Sequence, residues 1–355
     1  MFNEIFEELL DKLKESNEAA LLTFLESNPN SEGTIHKKTV YSKSDIENAK
    51  TKINSQLKDS IVKTFEGGVP YIHKTEENQI LIEPFYPKPR LIILGGGHIA
   101  KPLSEFGSKV GFSICVADDR PKFANSERFP EADEVICDDF NKVFDQIEPR
   151  PSDFIVIVTR GHKHDGICLR NALKYNTAYI GMIGSKRRVK AMMEELANEG
   201  FDKKKLAKVC SPIGLDIGAV TPEEIAVAII AQVINFRRNS DILKKSDKFN
   251  WPEFDVDVIK ESAKKSDIPR ALITIIGSKG SVPRKAGAKM IVWLDGRTLG
   301  TIGGGCAEAN ILTLARNVIR NEGYKIEHVD MTGDVAEDEG MVCGGVMDVL
   351  IEAID

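Results

Sequence analysis

The 355 residues include 48 lysines and arginines and 54 aspartates and glutamates, giving a net charge of −6 at pH 7. That acidic balance argues against a nucleic-acid scaffold, because no face has an obvious surplus of Lys and Arg, so no nucleic-acid partner is expected. Cys115, Cys137, Cys168, Cys210, Cys306 and Cys343 form no C-x-x-C pair, which argues against a zinc knuckle or a disulfide framework and for a reducing cytoplasm.

The length allows two or three domains with sizeable cores. Met1 to Ser16 reads as an acidic amphipathic helix and lacks the basic n-region and apolar core of a signal peptide. A strand follows at Ala20-Leu21-Leu22-Thr23-Phe24-Leu25, then turn-rich sequence around Asn28 to Gly33, and a second strand at Ile80-Leu81-Ile82-Glu83. These two strands recur near the other end of the chain. Ala271 to Ser278 echoes Ala20 to Ser27, and Val349 to Glu352 echoes Ile80 to Glu83, in the same order and each behind an amphipathic helix. Residues 1–86 and 255–355 therefore read as two copies of one module, the first eroded.

Between them, residues 87–236 open on Leu91-Ile92-Ile93-Leu94, a short apolar run of the kind buried on both faces of a parallel sheet. It stops at Gly95-Gly96-Gly97. A helix is expected next, since Ile99, Leu103 and Phe106 share one face, with Gly107 as its stop. A second strand, Phe112 to Val116, leads to Asp118. Gly95-x-Gly97-x-x-Ala100 with an acid about 20 residues later has the form of a dinucleotide site: bare backbone meets a pyrophosphate at a helix N-terminus and the carboxylate accepts from a ribose hydroxyl. A helical stretch at Phe123 to Phe129, strands at Glu134 to Cys137, Phe154 to Val158 and Ala178 to Ile183, and a helix opening at Pro222-Glu223-Glu224 complete the pattern. That alternation predicts a doubly wound parallel sheet, whose ligands collect at the carboxyl ends of the strands. Gly95, Gly97, His98, Ala100, Asp118, Thr159 and Gly184 all fall there and are the candidate contacts for NAD(P) or another nucleotide; His162 and His164 are candidate acid/base groups or plain loop residues. The longest apolar stretch, Ile225 to Ile234, contains Gln232 and at about ten residues is too short to cross a bilayer, so no membrane association is expected.

Residues 237–254 turn polar and Lys-rich and read as a linker. Residues 255–355 then carry three glycine-rich turns. Gly277 to Met290 holds Ser281, Arg284 and Lys289, a set suited to an anion. Gly303-Gly304-Gly305-Cys306 with Glu308 places a thiol at a helix N-terminus, and Cys343-Gly344-Gly345 places a second thiol before the last strand.

These motifs resemble the XdhC/CoxI family, accessory proteins for molybdenum hydroxylases such as xanthine dehydrogenase. Leu91 to Ala100, Asp118-Asp119-Arg120-Pro121, Thr159 to Asp165, Tyr179 to Ser185, Pro212 to Gly218 and Thr221 to Ala226 resemble its Rossmann part. Gly280-Ser281-Val282-Pro283-Arg284, Gly287 to Met290, Gly303 to Cys306 with Glu308, and Cys343-Gly344-Gly345 resemble its other module. One departure is the order, since family members usually place that module before the Rossmann domain, whereas here the intact copy follows it. The resemblance implies an α/β protein: a doubly wound Rossmann domain flanked by an eroded N-terminal and an intact C-terminal α+β module. It implies a cytoplasmic chaperone that binds molybdenum cofactor (molybdopterin), holds it during sulfuration by a cysteine desulfurase and delivers it to an apo molybdenum hydroxylase. In that reading Ser281, Arg284, Lys289 and the Gly303, Gly304, Gly305 turn hold the pterin phosphate. Cys306 or Cys343 lies near the molybdenum as a transient ligand or sulfur relay. An NAD(P)-dependent oxidoreductase and a nucleotide-sensing regulator are the competing expectations, and a homodimer is expected for any of them.

Overall fold

A computed structural model describes residues 2–15, 18–26, 31–48, 53–75, 78–239, 252–253, 255–303, 305–331 and 344–354. The chain forms two units, one from Met1–Pro87 together with Lys245–Asp355 and one from Lys88–Lys244.

Strands run in chain order as β1 (Ala19–Glu26), β2 (Glu32–Gly33), β3 (Ile35–Ser42), β4 (Tyr71–Lys74), β5 (Asn78–Phe85), β6 (Arg90–Leu94), β7 (Ser113–Asp118), β8 (Glu134–Cys137), β9 (Phe154–Ile157), β10 (Tyr179–Met182), β11 (Arg270–Gly280), β12 (Lys289–Trp293), β13 (Thr298–Gly300), β14 (Tyr324–Asp330) and β15 (Gly345–Ala353). In the Lys88–Lys244 unit five strands pair in parallel in the order β10-β9-β6-β7-β8. Successive residues of β6 feed opposite cores: Leu91 and Ile93 pack with Leu103, Phe112 and Ile229, whereas Ile92 and Leu94 pack with Phe144, Cys168 and Leu169. A sheet covered on both faces by helices is the doubly wound Rossmann arrangement that the uninterrupted apolar strands predict. The helix at Pro222–Asn239 begins with a capping box, Glu224 N–H donating to Thr221 Oγ1 and Thr221 N–H donating to Glu224 Oε2. Its Ala226, Ile229 and Val233 are fully buried in the core.

Two local expectations differ from the structure. The helix after the glycine turn, Ala100–Lys109, runs through Gly107, which is buried, and a Cβ there would lie 2.7 Å from Leu91 Cδ2. Gly107 is therefore a packing residue that lets helix and sheet touch, not a stop. Residues 123–129 form successive turns instead of a helix, with Arg128 N–H donating to Asn125 Oδ1 and the aromatic and arginine side chains packed on the glycine turn.

The other unit has an internal symmetry. Its four-stranded sheet, β3-β1-β5-β4, has the same order as the inner part of its six-stranded sheet, β12-β11-β15-β14, to which β13 and β2 add at the two edges. Register matches as well as order: Thr23 pairs with Lys38 and Leu21 with Glu83 in one sheet, Thr274 with Lys289 and Leu272 with Glu352 in the other. The helix Asn3–Lys14 precedes β1 as Val256–Ser262 precedes β11, and the two pack together, Asn3 Nδ2 donating to the Lys264 carbonyl over 2.8 Å. The two terminal segments thus share one folded unit. Their common core contains equivalent pairs, Leu21 with Leu272, Val40 with Ile291 and Phe85 with Ile354. No helix among the described residues is long and apolar enough to cross a membrane.

Candidate functional site

Two sites stand out, one in each unit. In the Rossmann unit β6 ends at Gly95, whose φ is +110°, and a Cβ there would sit 2.5 Å from the Val158 carbonyl oxygen. Only glycine tolerates both constraints. The chain then passes so close to the 120–129 turns that a Cβ on Gly96 would lie 1.9 Å from the Phe123 carbonyl oxygen. Those turns hold the glycines from outside. Arg128 donates through Nε to the Gly96 carbonyl over 2.9 Å and through Nη2 to Gly97 over 3.2 Å, and its guanidinium faces the Phe123 ring.

Asp118 is at the end of β7, as the dinucleotide reading requires, and is 1 % exposed. Its oxygens are taken. Oδ2 accepts from the Gly96 N–H over 2.8 Å and from Arg120 Nη2 over 2.9 Å, and Oδ1 accepts from the Arg120 N–H over 3.0 Å and Nε over 2.8 Å. Burial alone would raise the Asp118 pKa; the bonds from Arg120 and Gly96 outweigh it and hold the carboxyl below the usual range. Stacked 3.7 Å over the Phe123 ring, Arg120 is held in this pair. In this structure the Asp118 carboxylate organises the glycine turn and is paired with Arg120 at the position where the sequence reading expects a ribose contact. The adjacency Asp118-Asp119-Arg120 is the sequence signal for this pairing.

At the end of β9, Thr159 Oγ1 donates to Asp165 Oδ1 over 2.5 Å, in the first turn of the helix His162–Ala172. Burial raises the Asp165 pKa against the lowering effect of Thr159. An acid raised in the folded state contributes most to stability below its unfolded pKa, about 3.9, and loses that contribution as pH rises through the folded value. Asp165→Asn keeps an acceptor for Thr159 and has no charge to desolvate. Its melting temperature is expected to match or exceed the wild type at pH 8 and to gain on it between pH 4 and pH 8, measured by thermal scans across that range; a variant that melts well below the wild type at pH 8 contradicts this account. Nearby, Arg160 Nη2 pairs with Asp119 Oδ2 over 2.8 Å and lies 3.3 Å from His164 Nε2. His98 and His162 are exposed, Ala100 is the first residue of its helix, and Gly184 precedes the Ser185 N-cap of the helix Lys186–Asn198.

In the other unit the three glycine motifs meet. A Cβ on Gly303 would lie 2.7 Å from Pro283 Cβ, and a Cβ on Gly345 would lie 2.6 Å from the Ser281 carbonyl oxygen and 2.7 Å from Val282 Cγ1. Gly303, and Gly345 at the start of β15, are glycine because they abut the Ser281–Arg284 loop. Thr301 orients one of them, accepting from the Gly303 N–H over 3.1 Å and donating to Glu308 Oε2 over 2.8 Å. Gly304, Cys343 and the Cys306 side chain lie outside the described residues.

Ser281 and Lys285 are exposed on the loop and Arg284 is partly so, its Nε paired with Glu253. The loop thus fits a phosphate-bearing ligand, with Glu253 holding the guanidinium. Lys289 does not. It is 1 % exposed and its ammonium donates to Glu83 and, over 2.8 Å, to Thr274 Oγ1. The expected phosphate contact is corrected to a structural ion pair. Sequence reasoning missed Glu253, Thr301 and Arg128; each acts through a partner far along the chain or on the backbone, which a motif does not show.

A family profile for the XdhC Rossmann domain matches residues 91–233, and one for the XdhC and CoxI family matches residues 263–330. Among curated proteins the chain is 34% identical over 166 residues to a probable xanthine dehydrogenase subunit from Bacillus subtilis strain 168, covering 47% of this chain and 48% of that one. It is 29% identical over 154 residues to the uncharacterized protein YqeB of Escherichia coli K12, covering 43% and 28% respectively. The match therefore spans about half the length of the first relative, 48%, and less of the second. A crystal structure of a xanthine dehydrogenase from Bacillus halodurans aligns at a TM-score of 0.40 and 23% identity, over 65% of this chain and 93% of that one. With the two profiles falling on the Rossmann unit and on the glycine-motif module, the chain belongs to the XdhC and CoxI family.

Proposed function

We propose that this protein is an accessory factor for a molybdenum hydroxylase of the xanthine dehydrogenase type, and that it binds molybdenum cofactor at the C-terminal module. The observation that carries this reading is the convergence of Gly303 and of Gly345, at the start of β15, on the Ser281–Lys285 loop, which puts the exposed Ser281 hydroxyl and the cations of Arg284 and Lys285 beside bare backbone. In this reading Arg284 and Lys285 hold the phosphate of the pterin, and Glu253 keeps the Arg284 fork oriented until the ligand arrives. The bound group would bring molybdenum chemistry; the chain's own residues bind it, orient it and shield it. The Rossmann unit binds a nucleotide at the Gly97 side of its turn, where Arg128 adds positive charge beside the backbone carbonyls. Sulfuration by a cysteine desulfurase and hand-over to the apo-hydroxylase complete the proposed sequence.

Activation of an apo molybdenum hydroxylase by added cofactor tests this. Wild-type protein is expected to raise the yield of active hydroxylase, and Arg284→Ala to lose most of that gain, by roughly tenfold if a charge-assisted contact is lost. Equal activation with and without the protein would overturn the reading.

A further inference from the structure

Two pairs of buried charges connect the two lobes of the Met1–Pro87 and Lys245–Asp355 unit, and they are exchanged. Lys38, on the first lobe, donates to its own Thr23 over 3.0 Å and pairs at 2.6 Å with Glu352 of the second lobe. Lys289, on the second lobe, donates to its own Thr274 over 2.8 Å and pairs with Glu83 of the first. All four charged side chains are almost fully buried. In the duplicated pattern Thr23 corresponds to Thr274, Lys38 to Lys289 and Glu83 to Glu352, so each triad takes its lysine and threonine from one copy and its glutamate from the other. Reciprocity of this kind, residue i with j and j with i, is what a two-fold isologous interface produces. The apolar contacts repeat it, since Leu25 with Ile276 and Leu81 with Leu350 share one cluster.

We infer that the inner face of the 255–355 module, carrying Lys289, Glu352, Leu272, Ile276 and Leu350, is a self-association surface whose fitting partner is a second copy of the same module. In this protein the N-terminal lobe is that copy, tethered in the same chain. The lobe has lost the ligand motifs and kept the face that pairs, which accounts for why Lys38 and Glu83 persist in an otherwise eroded copy. Two C-terminal modules brought together about the same axis would satisfy both buried pairs, Lys289 of each meeting Glu352 of the other. The inference is independent of what the module binds.

A site-specific protease sequence inserted after Lys244 allows the folded full chain to be cut into residues 1–244 and 245–355. The two pieces are expected to stay together on gel filtration with light scattering, at the mass of the uncut chain. Reversing the N-terminal partners, Lys38→Glu with Glu83→Lys, is expected to release the 245–355 piece, which then runs as a pair of copies. Adding Lys289→Glu and Glu352→Lys restores opposite charges across the lobes and is expected to restore co-elution, which decides the matter even if the doubly reversed chain does not fold. Co-elution that survives the double reversal, a released piece that runs as a single copy, or a fourfold variant that fails to recombine would overturn the inference.

Discussion

Glu83→Leu is expected to destabilise the protein by about 3–5 kcal/mol, because it leaves the Lys289 ammonium buried with no opposite charge, only the Thr274 hydroxyl and the Phe85 ring among the described residues. For a unit of this size that is a fall in melting temperature on the order of 10 °C. Combining it with Lys289→Met is expected to return most of the loss, since exchanging both members of a buried pair for apolar groups of similar volume is commonly neutral. The equivalent substitutions at Glu352 and Lys38 should behave alike, because that pair is equally buried. Thermal scans of the two single variants and the double variant check this; a single variant that melts like the wild type would show that the pair carries no stability.

The second large effect lies in the glycine turn. Gly96→Ala is expected to cost about 3 kcal/mol, because a methyl 1.9 Å from the Phe123 carbonyl oxygen must push back the turn that holds Arg120 on Asp118. Gly97→Ala meets nothing within 4 Å and is expected to change stability by less than about 0.5 kcal/mol. The same methyl would stand on the open side of the turn, where the proposed nucleotide phosphate approaches. Denaturant melts and a nucleotide titration on both variants separate the two properties: Gly97→Ala should fold normally and bind more weakly. Unchanged nucleotide affinity in Gly97→Ala would remove the phosphate from this turn.

The parts of the fold that are legible in the sequence are those fixed by neighbours in the chain. Leu91 to Leu94 followed by three glycines and an apolar helix face determine a strand, a turn and a helix over some twenty residues, and the strand at Arg90–Leu94 and the helix at Ala100–Lys109 follow that pattern. Gly107 misleads because the same lack of a side chain serves a helix stop and a close helix–sheet contact, and only the position of Leu91 and Ile114 decides between them. Lys289 misleads for a related reason. A lysine among glycines and an arginine suggests an anion site, whereas its partner Glu83 lies 206 residues away and is visible only after the lobes have packed. The repeat itself is legible, since Thr23 and Thr274 occupy matching places in echoed strands. That the copies exchange their glutamates is not, because strand similarity carries no information about which surface faces which.

The glycine motifs of the C-terminal module show the same division. Each reads as a tight turn on its own, and their meeting around Val282 and Pro283 depends on how β11 and β15 pair, Gly280 opposite Gly345. Once that pairing is known, Ser281, Arg284 and Lys285 fall on one loop beside the two glycines, with Glu253 paired to Arg284 and accepting from the Lys285 N–H.

The most direct test of the central claim is a fluorescence measurement of pterin bound to the purified full-length protein, titrated with molybdopterin beside a parallel titration with NAD. One pterin per chain, lost in Arg284→Ala and retained in Gly97→Ala, is the predicted result. A protein that neither retains nor takes up molybdopterin, whether or not it binds NAD, would contradict the account.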